Sequence, residues 1–135
     1  MEKHRCRTYF SITGNFNPQA LIKRLGVKAD KTVTKGDKTP YVGKIAEFSY
    51  VKIGYNEKYD VDVNVIIRKT IAPLLEETEL LRHLKDTFGL EYAIVVVPEI
   101  VAECEAPKPV LSLDRDIVEF MYLTGAEHDL DYYVY

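Results

Sequence analysis

The sequence contains no tryptophan, two cysteines and three histidines among its 135 residues. Cys6 and Cys104 sit in apolar-patterned segments at no metal-ligand spacing. They read as buried free thiols of a reducing compartment, with a disulfide as the lesser alternative. No apolar run approaches the roughly 20 residues that a membrane-spanning helix needs, so no membrane partner is expected. The opening MEKHRCRTYF is positively charged but no apolar stretch follows it. A secretory signal is therefore not expected, and the cytoplasm is the predicted location. Nucleophile motifs are missing too: there is no G-x-S-x-G, and neither cysteine stands in an activating context. Thr34-Lys35-Gly36-Asp37-Lys38-Thr39 lacks the G-x-x-x-x-G-K-[ST] spacing that wraps a phosphate, and Asp37 would repel one. Gly36-Asp37 is better read as a turn with positive φ or an Asx-type side-chain contact.

What is present suits one globular domain over 1–135. Hydrophobic residues at 47% and charged residues at 29% let a core of this size close without metal or disulfide. The net charge of −3 conceals an asymmetry. Residues 1–44 hold ten Lys/Arg against three Asp/Glu, a balance of +7, and residues 45–135 hold eight against eighteen, a balance of −10. Such a split marks a nucleic-acid face or an acidic face for a basic partner. The plainer reading is that the two regions neutralise each other across the folded surface.

Cys6–Thr13 alternates as a half-buried strand, with Tyr9 and Phe10 suited to the pleat. Asn17 is placed to cap a helix that Pro18 starts, that Leu21, Ile22 and Leu25 make amphipathic, and that Gly26 ends. Lys28–Gly43 is a polar surface loop with a short strand at Thr32–Thr34. Ile45–Ile53 alternates as a strand and Gly54–Lys58 turns the chain. Val61–Leu75 is rich in β-branched residues, yet Val63, Ile66, Ile67, Thr70, Ile71 and Leu74 keep helical spacing. That spacing predicts a helix starting near Asp60 or Asp62 and disturbed at Pro73, whereas a strand there would change the sheet order. Glu76–Phe88 is a second helix, stopped by Gly89. Tyr92–Cys104 is a strand apolar on both faces, hence central, with a bend or bulge at Pro98. After a linker at Ala106–Pro109, Leu113-Asp114 leads a short helix to Gly125, and Leu130–Tyr135 closes as a strand. The order β-α-β-α-α-β-α-β predicts an α+β fold. Its sheet is mixed or antiparallel with about four to five strands, and short helices pack mainly on one face.

Particular motifs sit on these elements. Gly14-Asn15-Phe16-Asn17-Pro18 follows the first strand, Leu25-Gly26 ends the first helix, and Lys35-Gly36-Asp37 lies in the loop. Leu111-Ser112-Leu113 leads into the last helix, Gly125-Ala126 stops it, and Asp131-Tyr132-Tyr133 lies in the terminal strand. In these motifs nearly the whole chain resembles an uncharacterised family known as domain-of-unknown-function family 4279. The resemblance implies that family's fold and a bacterial or phage origin; it implies no activity. Members often carry a tryptophan after the Lys-Gly-Asp loop, where this chain has Phe48-Ser49-Tyr50.

Three function classes can be weighed on named residues. For catalysis, His83 between Arg82 and Lys85 reads as a surface residue and His4 as part of a frayed basic start. Glu127, Asp129 and Asp131 surround His128, a set that could hold a divalent cation or a general base. On a strand, however, Asp129 and Asp131 share one face and His128 takes the other. No catalytic residue, metal or cofactor is therefore assigned, and a metal-dependent enzyme is the weakest reading. For nucleic acid, the basic segment 23–38 offers Lys23, Arg24, Lys28, Lys31, Lys35 and Lys38, with Tyr41 nearby for stacking. The acidic whole-chain balance favours a solvated lysine face instead. For protein binding, ten tyrosines are a high load, and Tyr buries area at modest entropic cost. The plainer alternative is that they pack the last strand with their hydroxyls in water. The preferred reading is a non-catalytic protein-binding module of immunity or inhibitor type, with another protein as partner. Glu127, Asp129, Asp131 and Tyr133 form its expected face, and Phe16, Lys31, Lys35, Gly36 and Asp37 form a second candidate surface. A nucleic-acid-associated protein is the alternative.

Overall fold

The computed structural model describes residues 3–59, 62–105, 107–108 and 111–135. Strand β1 (Arg5–Gly14) is paired on both sides, antiparallel to β3 (Ser49–Tyr59) and to β4 (Glu91–Ile100). The short β2 (Lys31–Val33) continues the sheet antiparallel beyond β3. On the other side β5 (Glu127–Leu130) and β6 (Tyr133–Val134) both run parallel to β4. The order is β2-β3-β1-β4-β5, with β6 also on β4, so the sheet is mixed, as expected. The parallel edge follows from α4 (Arg115–Thr124), which carries the chain back between β4 and β5 as a crossover requires.

Alternation along β1 sorts its residues. Cys6, Thr8, Phe10 and Ile12 are buried under the helices; Phe10 meets Phe120 of α4 edge to face, ring centroids 6.0 Å apart. Tyr92 of β4 lies on the same side and donates to the Leu81 carbonyl of α3 (Thr78–Phe88) at 2.7 Å. Helices α1 (Pro18–Leu25) and α2 (Val63–Ile71) complete this layer, and Leu21, Leu25, Ile66 and Ile67 join the same core cluster. Burying one such aliphatic side chain contributes about 2 kcal/mol, so this layer is the main source of stability. The Asn17 cap is the one the sequence predicts, whereas Asp114, expected to cap α4 in the same way, makes no side-chain cap hydrogen bond and pairs with Arg68 instead. Asn17 accepts from the Ala20 amide at 3.1 Å, and Asp62 accepts from the Asn64 amide at 2.8 Å. Asp60 and Val61, where the second helix was also expected to begin, lie outside the described residues, as do 106 and 109 of the expected linker. Pro73 does end the α-helical geometry, which passes into a 3-10 turn over Ala72–Glu77.

Four expectations need correction. The predicted turn at Gly54–Lys58 is the second half of β3, and Ile45 lies outside that strand in an exposed arm, bridged to Lys38. The register jumps there: Phe10 faces Ile53 but Thr8 faces Asn56, so Gly54 and Tyr55 together oppose Tyr9. This is a bulge with glycine in the left-handed region, φ 69. Its cause is α2, whose Thr70 carbonyl would lie 2.3 Å from any Cβ at position 54. Second, β4 passes through Pro98 in unbroken register with Cys6, and the irregularity falls on its neighbour. β5 stops opposite Val96 and β6 starts opposite Glu99, so the parallel edge is interrupted beside the residue that has no N–H to donate. Third, that interruption splits the expected closing strand Leu130–Tyr135, and β4 ends before Cys104, which is half-buried. Fourth, His4 is fully buried; its Nδ1 accepts from the Val101 amide at 3.0 Å.

Gly54→Ala is expected to cost about 3 kcal/mol or more, combining overpacking with a strained φ. Gly26→Ala, at φ 70 with nothing within 4 Å of a new Cβ, is expected to cost only about 1 kcal/mol. Urea denaturation of both variants checks this, and equal losses would contradict the close approach of α2 to β3.

Candidate functional site

The sheet face opposite the helices gathers charged and aromatic side chains from three strands. Residues opposed in a ladder share a face, which places Arg5, Arg7, Tyr9, Ser11 and Thr13 of β1 there. Tyr50, Lys52, Tyr55, Glu57 and Tyr59 of β3 join them, as do Glu91, Val95, Val97 and Glu99 of β4. Val95 and Val97 are buried yet stand outside the helix-side core cluster, which confirms that they belong to this second face.

An arginine–glutamate network holds its middle. Arg5 Nε donates to Glu99, its Nη1 lies 3.3 Å from Glu57, and Arg7 Nη2 lies 3.3 Å from Glu99. The hydrogen bond from Arg5 holds the Glu99 carboxyl below its ordinary value and raises the Arg5 guanidinium in turn. Beside it, the Lys52 ammonium sits 4.4 Å from the Tyr9 ring centroid and 5.8 Å from that of Tyr55. Burial, followed by the proximity of Tyr9, pushes the Tyr50 phenol up.

At the acidic edge Glu127, His128 and Asp129 alternate along β5. Glu127 stands opposite Ala93 and Asp129 opposite Val95, so both carboxylates reach the open face. With Ser11, Thr13 and Glu91 they line a cleft of about 320 Å³. Asp131 is drawn to Tyr133, whose hydroxyl donates to it at 3.4 Å and whose phenol it pushes up by charge. His128 stands opposite Ile94 on the helix side, its Nε2 buried without a hydrogen-bond partner. Among the described residues no three His, Cys, Asp or Glu side chains are grouped to hold a metal ion.

The second candidate surface divides. Phe16 packs on the core and lines an apolar cleft of about 260 Å³ with Arg24, Leu84 and Phe88, whose lining does not include 31–37. Asp37 Oδ2 accepts from the Thr34 amide at 2.8 Å and Gly36 has φ 94, so both predicted forms of the turn occur together. Lys31 stands opposite Lys52 at the β2 edge. Sequence reasoning missed Arg5, Arg7, Lys52, Tyr55, Glu91 and Glu99. The i, i+2, i+4 series Arg5, Arg7, Tyr9 was the available signal for the first two. Cys6 is not part of any site: burial pushes its thiol up to about 11, which leaves it protonated and unreactive.

Structurally the chain is an α+β protein with a mixed sheet layered by helices on one side. It belongs to the family described as Domain of unknown function (DUF4279), whose model it matches over residues 4–135. Comparison with curated proteins and with solved structures found no match. No described helix is long and apolar enough to cross a membrane.

Glu99 supplies a pH test of the central network. A carboxylate held below its ordinary value of 4.5 contributes stability above that pH, and the contribution is lost as pH falls through the lowered value. Glu99→Gln is expected to cost roughly 1–2 kcal/mol near neutrality and much less below the acid transition. Denaturant melts of both proteins across the acid range would show the two curves converging; parallel curves would remove Glu99 from the network.

Proposed function

We propose that the chain is a non-catalytic protein-recognition module whose acidic β5–β6 edge receives a basic segment of a partner protein. The observation that carries this reading is a contrast within one face. Glu57 and Glu99 are engaged by arginines, whereas no ion pair among the described residues involves Glu91, Glu127, Asp129 or Asp131. These carboxylates border β5, the outer strand of the sheet, whose free backbone edge accepts an added strand. Tyr132 and Tyr133, 55% and 45% exposed, offer aromatic contact area beside them. The immunity- or inhibitor-type form of this proposal is the case in which the partner is an effector whose basic working surface the edge covers. Complementary charge of this kind steers encounter and selects the partner.

Affinity capture from lysate of the source organism, after nuclease treatment, tests the proposal when wild type and Asp129→Lys/Asp131→Lys are run side by side. A stoichiometric protein should be retained by wild type and lost by the variant, with the melting temperature almost unchanged. Equal retention by both would sink the acidic edge as the binding site.

A further inference from the structure

We infer that the opposite side of the same face, β2 and β3 with the arm 34–48 between them, is a platform for single-stranded nucleic acid. The inference is independent of the acidic edge, which lies across the sheet. Every ion pair among the described residues runs from an arginine, and none from a lysine. Lys31, Lys35, Lys38, Lys44 and Lys52 lie in β2, β3 and the arm with no ion pair, and residues 31–48 hold four lysines against Asp37 and Glu47, a balance of +2. Asp30 and Asp37 keep their charge but are tied to backbone amides, Glu57 is already engaged by Arg5, and Glu47 is the remaining acid of the arm. Asp30 accepts from the Tyr55 amide at 2.8 Å, Asp37 from the Thr34 amide at 2.8 Å, and Glu57 from the Tyr55 hydroxyl at 2.8 Å.

Aromatic rings interleave these lysines, and aromatics set on a sheet between cations are the arrangement on which unpaired bases stack. Tyr41 and Phe48 of the arm are 76% and 52% exposed, and Tyr55 of β3 is 39% exposed. The two limbs of the arm that carries Tyr41 and Phe48 are joined by Gly36 N to Ala46 O at 2.9 Å, Ala46 N to Asp37 O at 2.8 Å and Thr39 N to Lys44 O at 3.1 Å. A backbone ordered without a core beneath it, displaying rings and lysines outward, fits a polyanion with stackable faces. A duplex hides those faces, so the single strand is the matching form.

Fluorescence anisotropy with labelled 20-mers of oligo-dT and oligo-U, and with a blunt duplex of equal length, tests the inference on the full chain. Five phosphate contacts predict a salt slope of roughly −3.5, a loss of about a hundredfold between 50 and 200 mM salt. Tyr41→Ala/Phe48→Ala should weaken single-strand binding by roughly tenfold or more. Lys35→Glu/Lys38→Glu should remove it, with circular dichroism confirming that both variants remain folded. Absence of single-strand binding at 50 mM salt would overturn the inference. So would duplex binding of equal strength that is indifferent to Tyr41→Ala/Phe48→Ala, since that pattern is plain polycation attraction.

Discussion

A buried polar knot at Thr70 sets the arrangement of both faces. Its hydroxyl donates to the Gly54 carbonyl at 2.6 Å, and because that hydroxyl has one proton, the 2.7 Å contact with Thr8 must be donated by Thr8. Asn56 closes the knot by donating to the Gly54 carbonyl at 3.0 Å. Unpaired, each of these groups would cost about 1–3 kcal/mol in the core, so α2 is pinned over β1 and β3 at one height. The pinning forces the bulge, and the bulge inverts the parity of β3. Before it Tyr50 and Lys52 face away from the helices; after it Tyr55, Glu57 and Tyr59 do. Without that extra residue Glu57 could not stand opposite Arg7, nor Tyr59 opposite Arg5.

The charge asymmetry of the chain is resolved unevenly by the fold. Arginine is used internally: Arg5 and Arg7 bind Glu57 and Glu99, and Arg68 joins α2 to the start of α4 through Asp114 and Asp116. Lysine enters no ion pair among the described residues: Lys52 sits over tyrosine rings, and Lys85 donates to the Leu90 carbonyl at 2.9 Å. Planar, forked guanidinium groups satisfy two carboxylates at once, which an ammonium on a flexible stem does less well. The halves therefore neutralise each other in the middle of the open face, while a basic margin remains at β2 and an acidic one at β5.

Much of this was legible. Caps at Asn17 and Asp62, helical spacing in a β-branched segment, and the central place of Ala93–Val97 all follow from local chemistry and period. The errors share a cause. Gly54 has the composition of a turn, and only the approach of Thr70, distant in sequence, turns it into a bulge. His4 looks like a frayed terminus because its burial depends on Val101 beyond the sheet. Pro98 announces an irregularity correctly, but the missing N–H is absorbed by the neighbouring edge rather than by its own strand. At the candidate site the alternation of Glu127, His128 and Asp129 was enough to separate the histidine from the acids. Which acids are free was not legible, since Glu57, Glu99 and Asp129 look alike until their partners are placed.

A sheet covered on one side normally leaves a fully wetted second face, yet Val95 and Val97 are nearly sealed here. Tyr9 stands opposite Val95 and Arg7 opposite Val97, and Arg7 Nε is buried without a hydrogen-bond partner, an unsatisfied N–H that carries a desolvation cost. Arg7 is thus held twice, by its stem on Val97 and by its head on Glu99. Drawing it toward a partner would wet the valine and leave Glu99 with Arg5 alone. The middle of the face is for that reason a poor place to bind anything. The two margins, where charge is uncompensated and side chains can move without exposing core, are where recognition costs least.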